Sequence, residues 1–155
     1  MFKRILVPVD GSHTSGLGLD AAIRLAKDQR AALYLLHVVD GRGIMQNLAG
    51  DGGAAAIDQL IDSLRASGKQ NLVRAELKAR KQRVRVKAVL VENSIRSVAD
   101  VIVGQAKKYR ADLIVIGTHG RRGISRLVMG SDAEGVVRTT PVPVLLVRSK
   151  ARKRR

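Results

Sequence analysis

A single-domain α/β fold built on a parallel sheet is predicted by three features: unbroken apolar strand runs, amphipathic helical stretches alternating with them, and a length that suits one core. The 155 residues are 45% hydrophobic, which is long enough for about five strands with crossover helices and too short for a second domain. Strands covered on both faces read as continuous apolar runs. Ile5-Leu6-Val7, Leu33-Tyr34-Leu35-Leu36 and Leu113-Ile114-Val115-Ile116 are such runs. Strands and helices that take turns along the chain imply right-handed crossovers.

The first strand is expected over Phe2–Val9, with Pro8 near its end, where a missing N–H is tolerated. Gly11-Ser12-His13-Thr14 is turn material. Leu17, Ala21, Ala22, Leu25 and Ala26 then recur at helical spacing, with Asp20, Arg24, Lys27 and Asp28 between them, the pattern of an amphipathic helix. Ala31–Val39 is the second buried strand, broken off by Asp40-Gly41-Arg42-Gly43. A long insertion follows. Ile57, Leu60, Ile61 and Leu64 mark another helix, expected to kink or fray at Gly68 before Leu72 and Ala75. Val84–Val91 is the third strand, and Ile95, Val98, Ala99, Ile102, Val103 and Ala106 make the next helix. A strand ends at Gly117, a short helix is expected over Ser131–Arg138, and Pro141–Val147 is a final strand. Its two prolines suit an edge position.

Composition excludes several chemistries. Without cysteine there is no disulfide, thiolate metal site or thiol nucleophile. His13, His37 and His119 are too scattered to support a protein-built zinc site; His13 reads as a surface turn residue and His37 as a core histidine. No apolar run approaches the roughly 20 residues of a membrane span, and Met1-Phe2-Lys3-Arg4 carries no signal-peptide pattern, so a cytoplasmic protein without membrane insertion is expected. The formal charge is +16. Most of it lies in two places: Arg65–Lys87, with nine basic residues against Glu76 alone, and Arg148–Arg155, with six basic residues and no acid. Residues 149–155 are therefore read as a basic, disordered tail after a domain over 1–148. Both features suit a polyanion, while a solvated helix face and a solubilising tail are the plain alternative.

The strongest motif is Gly117-Thr118-His119-Gly120, nine further residues, then Gly130-Ser131. It follows a buried strand, and glycine permits positive φ and close approach of a ligand. Ser131 stands where a helix begins. Free amides and the dipole at a helix N-terminus favour phosphate, and successive turn amides form an anion nest. An ordinary strand-to-helix loop would look similar.

This spacing, with Ile5-Leu6-Val7-Pro8-Val9-Asp10-Gly11-Ser12, Leu36-His37-Val38-Val39 and Pro141-Val142-Pro143-Val144-Leu145-Leu146-Val147, resembles the universal stress protein family over about residues 2–148. The resemblance implies an open, Rossmann-like sheet of five parallel strands in the order 3-2-1-4-5 with helices on both faces. That order puts the ends of strands one and four together at a switch in winding, where ligands of open sheets bind. It further implies that Pro8, Val9 and Asp10 line a nucleoside pocket, that Val38 contacts adenine and Gly117 the ribose, and that Gly120, Gly130 and Ser131 hold phosphates. A homodimer through the Val142–Val147 edge strand is implied too.

Other readings stay open at several of these residues. Asp10 is either a ribose acceptor or a turn-forming cap before Ser12. His119 either donates to phosphate or projects into solvent. Arg121, Arg122 and Arg126 either neutralise terminal phosphates or cover a solvated loop. Asp132 departs from the family pattern, where a small apolar residue is common, and would help hold Mg²⁺ or repel a triphosphate.

The function expected is a nucleotide-dependent stress-response switch that binds ATP, or ADP or AMP, with Mg²⁺ and acts on an unidentified protein partner. No Gly-x-x-x-x-Gly-Lys-Ser/Thr loop or general base is present, so at most slow hydrolysis is expected. The rival from another class is a nucleic-acid or polyanion-binding module, necessarily sequence-independent given three aromatic residues. An adenylate-transferring enzyme is a minor alternative.

Overall fold

The computed structural model describes residues 1–42, 44, 54–118 and 129–149. Within them the order is β1 (Arg4–Pro8), α1 (His13–Gln29), β2 (Ala32–Asp40), α2 (Ala54–Lys81), β3 (Arg85–Asn93), α3 (Val98–Lys108), β4 (Leu113–Gly117), α4 (Ser131–Thr139) and β5 (Val144–Val147). All four strand pairings are parallel, and the sheet runs β3-β2-β1-β4-β5. This is the predicted architecture.

Alternation along each central strand divides the core into two layers. Ile5, Val7, Leu33, Leu35, Leu113 and Val115 face α1 and α2, meeting Leu19, Ile23, Leu72, Ala75 and Ala79. Leu6, Leu36, Ile114 and Ile116 face α3 and α4, meeting Ile102, Ala106, Ala133 and Val136. Burying both faces is what made these strands continuous in sequence, at about 1.5–3 kcal/mol for each large aliphatic side chain. A long-range clamp adds register: the backbone N–H groups of Lys3 and Arg4 donate to the Asp112 carboxylate at 2.8 and 3.0 Å. It ties the start of β1 to the residue before β4.

Two expectations need correction. Helix α2 runs unbroken through Gly68, which is buried at its centre, so this glycine is a packing residue and not a kink. Ile95 lies outside α3 and is 90% exposed. Helix α3 starts later because Ser97 caps it, accepting from the Asp100 N–H at 3.0 Å while donating to Oδ2 of Asp100 at 2.6 Å.

Three helices end alike at the opposite edge of the sheet. Arg30, Arg83 and Arg110 are the only described non-glycine residues with positive φ (55°, 59° and 49°). After each, the next N–H reaches back five residues: Ala31 to Ala26, Val84 to Ala79, and Ala111 to Ala106, at 2.9, 3.2 and 2.8 Å. Such closures usually place glycine in the left-handed position, because a side chain there costs about 1–2 kcal/mol.

Candidate functional site

At the C-terminal edge of the sheet the chain diverges on either side of β1 and β4. Helix α1 leaves one face and α4 packs on the other, and a cavity of about 360 Å³ opens between them. Its walls come from the ends of β1 (Pro8, Val9, Asp10), β2 (Leu36–Asp40) and β4 (Ile116, Gly117, Thr118), from the start of α4 (Gly130–Ala133), and from Leu64, Val98 and Ile102. Its lining mixes aliphatic side chains (Val9, Val38, Val39, Ile102 and Ile116) with polar ones (Asp10, Ser12, Ser131 and Asp132).

The first wall is fixed by hydrogen bonds. Oδ1 of Asp10 accepts from the Ser12 N–H at 2.9 Å, the Asp10 N–H donates to Oγ of Ser15 at 3.1 Å, and Oγ of Ser12 accepts from the Ser15 N–H at 3.2 Å, capping α1. Asp10 thus forms the turn that the plain reading foresaw while also lining the cavity. Behind it, the His37 imidazole is buried with Nδ1 2.7 Å from the Val9 carbonyl oxygen. A carbonyl only accepts, so Nδ1 is the protonated nitrogen. His37 is a core histidine, as expected, yet it also forms part of the cavity wall.

The second wall brings the two flanks of the glycine motif together. The Gly130 N–H donates to the Thr118 carbonyl at 2.7 Å, and the Thr118 N–H donates to the Val147 carbonyl at 2.9 Å. Gly130 is the N-cap residue of α4, with extended backbone (φ −64°, ψ 148°) and no side-chain cap. The first-turn amides of α4 lack intrahelical partners by geometry. Left-handed backbone plays no part at Gly117 or Gly130, since Gly11 is the only described glycine with positive φ (81°). Gly117 is glycine for space: a β-carbon there would lie 2.7 Å from the backbone C and O of Thr14.

Pro8, Val9, Asp10, Val38, Gly117, Gly130, Ser131 and Asp132 all line this one cavity. His119, Gly120 and Arg121, with Arg122 and Arg126, lie outside the described residues. The sequence reading missed Arg42. Its guanidinium lines the cavity and holds Asp40 through both carboxylate oxygens, at 2.8 and 2.9 Å. That hydrogen bond raises the Arg42 pKa further above its ordinary value, against a smaller lowering by burial, and the charges of Asp40, Asp132 and Asp100 add to the rise. The signal available was the charged pair Asp40-Gly41-Arg42 at a strand end, where ligands of such sheets bind.

The model of the universal stress protein family matches residues 1–148. The chain belongs to the universal stress protein family. A universal stress protein of Methanocaldococcus jannaschii is 34% identical over 148 residues, covering 96% of this chain and 83% of that one. Among solved structures, a universal stress family protein from Burkholderia pseudomallei is 32% identical with a TM-score of 0.77, covering 95% and 96% of the two chains. A universal stress protein from Archaeoglobus fulgidus, solved in complex with dAMP, has a TM-score of 0.67 at 24% identity over 94% and 98%, a likeness of fold alone. As a universal stress protein, this chain keeps the five-stranded order β3-β2-β1-β4-β5 over its described residues.

Proposed function

We propose that this universal stress protein binds an adenine nucleotide, as ATP with Mg²⁺, in the cavity between the ends of β1 and β4, and that occupancy acts as a regulatory switch. The observation that carries this reading is the N-terminus of α4, which has no side-chain cap and lines a cavity that also holds aliphatic side chains from the ends of β1 and β2. An anion at such a terminus gains from free amides and dipole together. The base would lie against Val9 and Val38, the ribose beside Asp10 and Gly117, and the phosphates at Gly130 and Ser131, continued by His119, Gly120 and Arg121. The volume suits a small-molecule site, and the same fold was solved with dAMP bound in the Archaeoglobus protein.

Mg²⁺ would arrive with the phosphates, since the described residues hold no group of three metal-ligating side chains. Asp132, at the first turn of α4, is the cavity carboxylate nearest the proposed phosphate position in sequence and would contribute to holding the ion. A switch is favoured over rapid turnover because the cavity supplies positioning groups while the sequence offers no general base and no Gly-x-x-x-x-Gly-Lys-Ser/Thr loop. We further propose a cytoplasmic homodimer. Among the described residues β5 pairs only with β4, and its Leu145 and Leu146 are 40% and 37% exposed, an edge that a second copy would cover.

Calorimetric titration of Mg-ATP into the protein, at salt high enough to screen nonspecific attraction, tests the reading. Saturable binding near one nucleotide per chain is expected. Ser131→Glu should abolish it while leaving the helix intact, because an acid in the first turn favours α4. No saturable heat from the unsubstituted protein refutes the site.

A further inference from the structure

A second cavity, of about 560 Å³, lies at the other end of the sheet, between the C-termini of α1 and α2 and the start of β3. Nine residues line it: Lys27, Arg30, Lys81, Arg83 and Arg85 with Ala26, Ala31, Gln82 and Val84. Five are cations, and none is acidic. None of the five takes part in an ion pair among the described residues, whereas Arg42, Arg65, Lys78 and Arg80 each have a carboxylate partner.

Helix dipoles account for part of this, since cations at C-termini are favoured. They do not account for Arg85, which is on a strand, or for arginine in the left-handed positions 30 and 83, where glycine would be less strained. The guanidinium of Arg85 is itself oriented, donating to the Arg30 carbonyl at 3.1 Å. The same device recurs along the edge, where Nε of Arg4 donates to the carbonyl of the left-handed Arg110 at 2.6 Å. Arginine carbonyls thus fix neighbouring guanidinium groups from β3 to β4.

We propose that this edge is a phosphate-binding track for the backbone of a single-stranded nucleic acid. A row of cations spread over three strand spacings, about 14 Å, suits a linear anion better than a compact one. A flexible single strand can bend its phosphates into a recess between two helix ends, which a stiff duplex cannot enter. No aromatic side chain lines the recess, so the track reads charge and not base, and its affinity falls steeply with salt. It lies across the sheet from the nucleotide cavity and is independent of it.

Fluorescence anisotropy with labelled dT20 and the full chain, over a salt series, tests the proposal. Arg30→Gly/Arg83→Gly removes two cations while retaining the left-handed closure that glycine prefers, and Lys27→Gln/Lys81→Gln removes two from the helix ends. Each double variant should bind dT20 at least about tenfold more weakly at low salt and flatten the log–log salt slope by about 1.4, while staying folded and keeping the same Mg-ATP titration. The basic tail is common to all these proteins, so an affinity unchanged within twofold overturns the proposal. So does wild-type protein that binds inorganic tripolyphosphate but not dT20, which would make the recess a compact-anion site.

Discussion

The backbone of Gly68 lies against the imidazole of His37 so closely that a β-carbon at position 68 would stand 2.5 Å from Cδ2 and 2.8 Å from Nε2. The ring cannot retreat cheaply, because it is buried and Nδ1 is hydrogen-bonded to the Val9 carbonyl. Helix α2 is thus fitted to the wall of the cavity by the absence of one side chain.

Gly68→Ala is therefore expected to destabilise the protein by about 1–3 kcal/mol through overpacking, although alanine is intrinsically better in a helix by about 1 kcal/mol. In a His37→Ala background the same substitution should become neutral or stabilising. Denaturant melts of the four proteins in a double-mutant cycle measure this coupling. Additive effects would mean that the two residues do not constrain each other.

Arg42 supplies a cation to the cavity from a bidentate grip on Asp40. If the phosphates of a nucleotide lie at the start of α4, Arg42→Ala should weaken ATP binding about tenfold or more, the scale of a lost charge-assisted hydrogen bond. Adenosine should bind the variant as it binds the wild type. Parallel titrations of ATP and adenosine check this, and an equal loss for both would make Arg42 a purely structural residue.

The bridge between α2 and edge strand β3 gives a pH signature. The hydrogen bond from Arg65 holds the Glu92 carboxyl below its usual range, opposed by partial burial and reinforced by the charges of Arg65 and Lys69. A carboxyl whose pKa is lowered by folding contributes stability above its unfolded value of about 4.3, and that contribution is lost as pH falls through the folded value. Glu92→Gln should lower the melting temperature slightly at pH 7, by about 1 °C as is usual for an exposed pair. The difference should close below about pH 4, and also in high salt. Thermal melts across pH 3–7 would reject the assignment if the gap widened on acidification.

Fold and cavity were legible in the sequence to different depths. The buried strands announced themselves because Ile5, Leu6 and Val7 each serve a core layer, as do Leu113 to Ile116, leaving no polar position to interrupt the run. Gly68 could not be read correctly from α2 alone, since its reason lies on β2 in the ring of His37. The late start of α3 was written in Ser97-Val98-Ala99-Asp100, a capping pattern outweighed by the helical spacing of Ile95. Asp10, Val38 and Gly130 could be grouped in advance through the family resemblance, whose strand order brings strand ends together where winding reverses. Arg42 was signalled only by its charge beside Asp40 at a strand end, and charge spacing in a loop does not fix direction.

The cavity also has a history in the making of each molecule. β1 pairs with β4 through Ile5 and Leu113, so its opposite walls are made more than a hundred residues apart. At synthesis rates of about 5–20 residues per second, β1 waits about 5–20 s for its partner to emerge. Helices α1 and α2 and strands β1 to β3 can assemble meanwhile, leaving one wall of the cleft missing. A chain still on the ribosome before β4 cannot hold a ligand between β1 and β4. Whatever ligand the cleft takes is thereby captured only by molecules whose translation has passed β4.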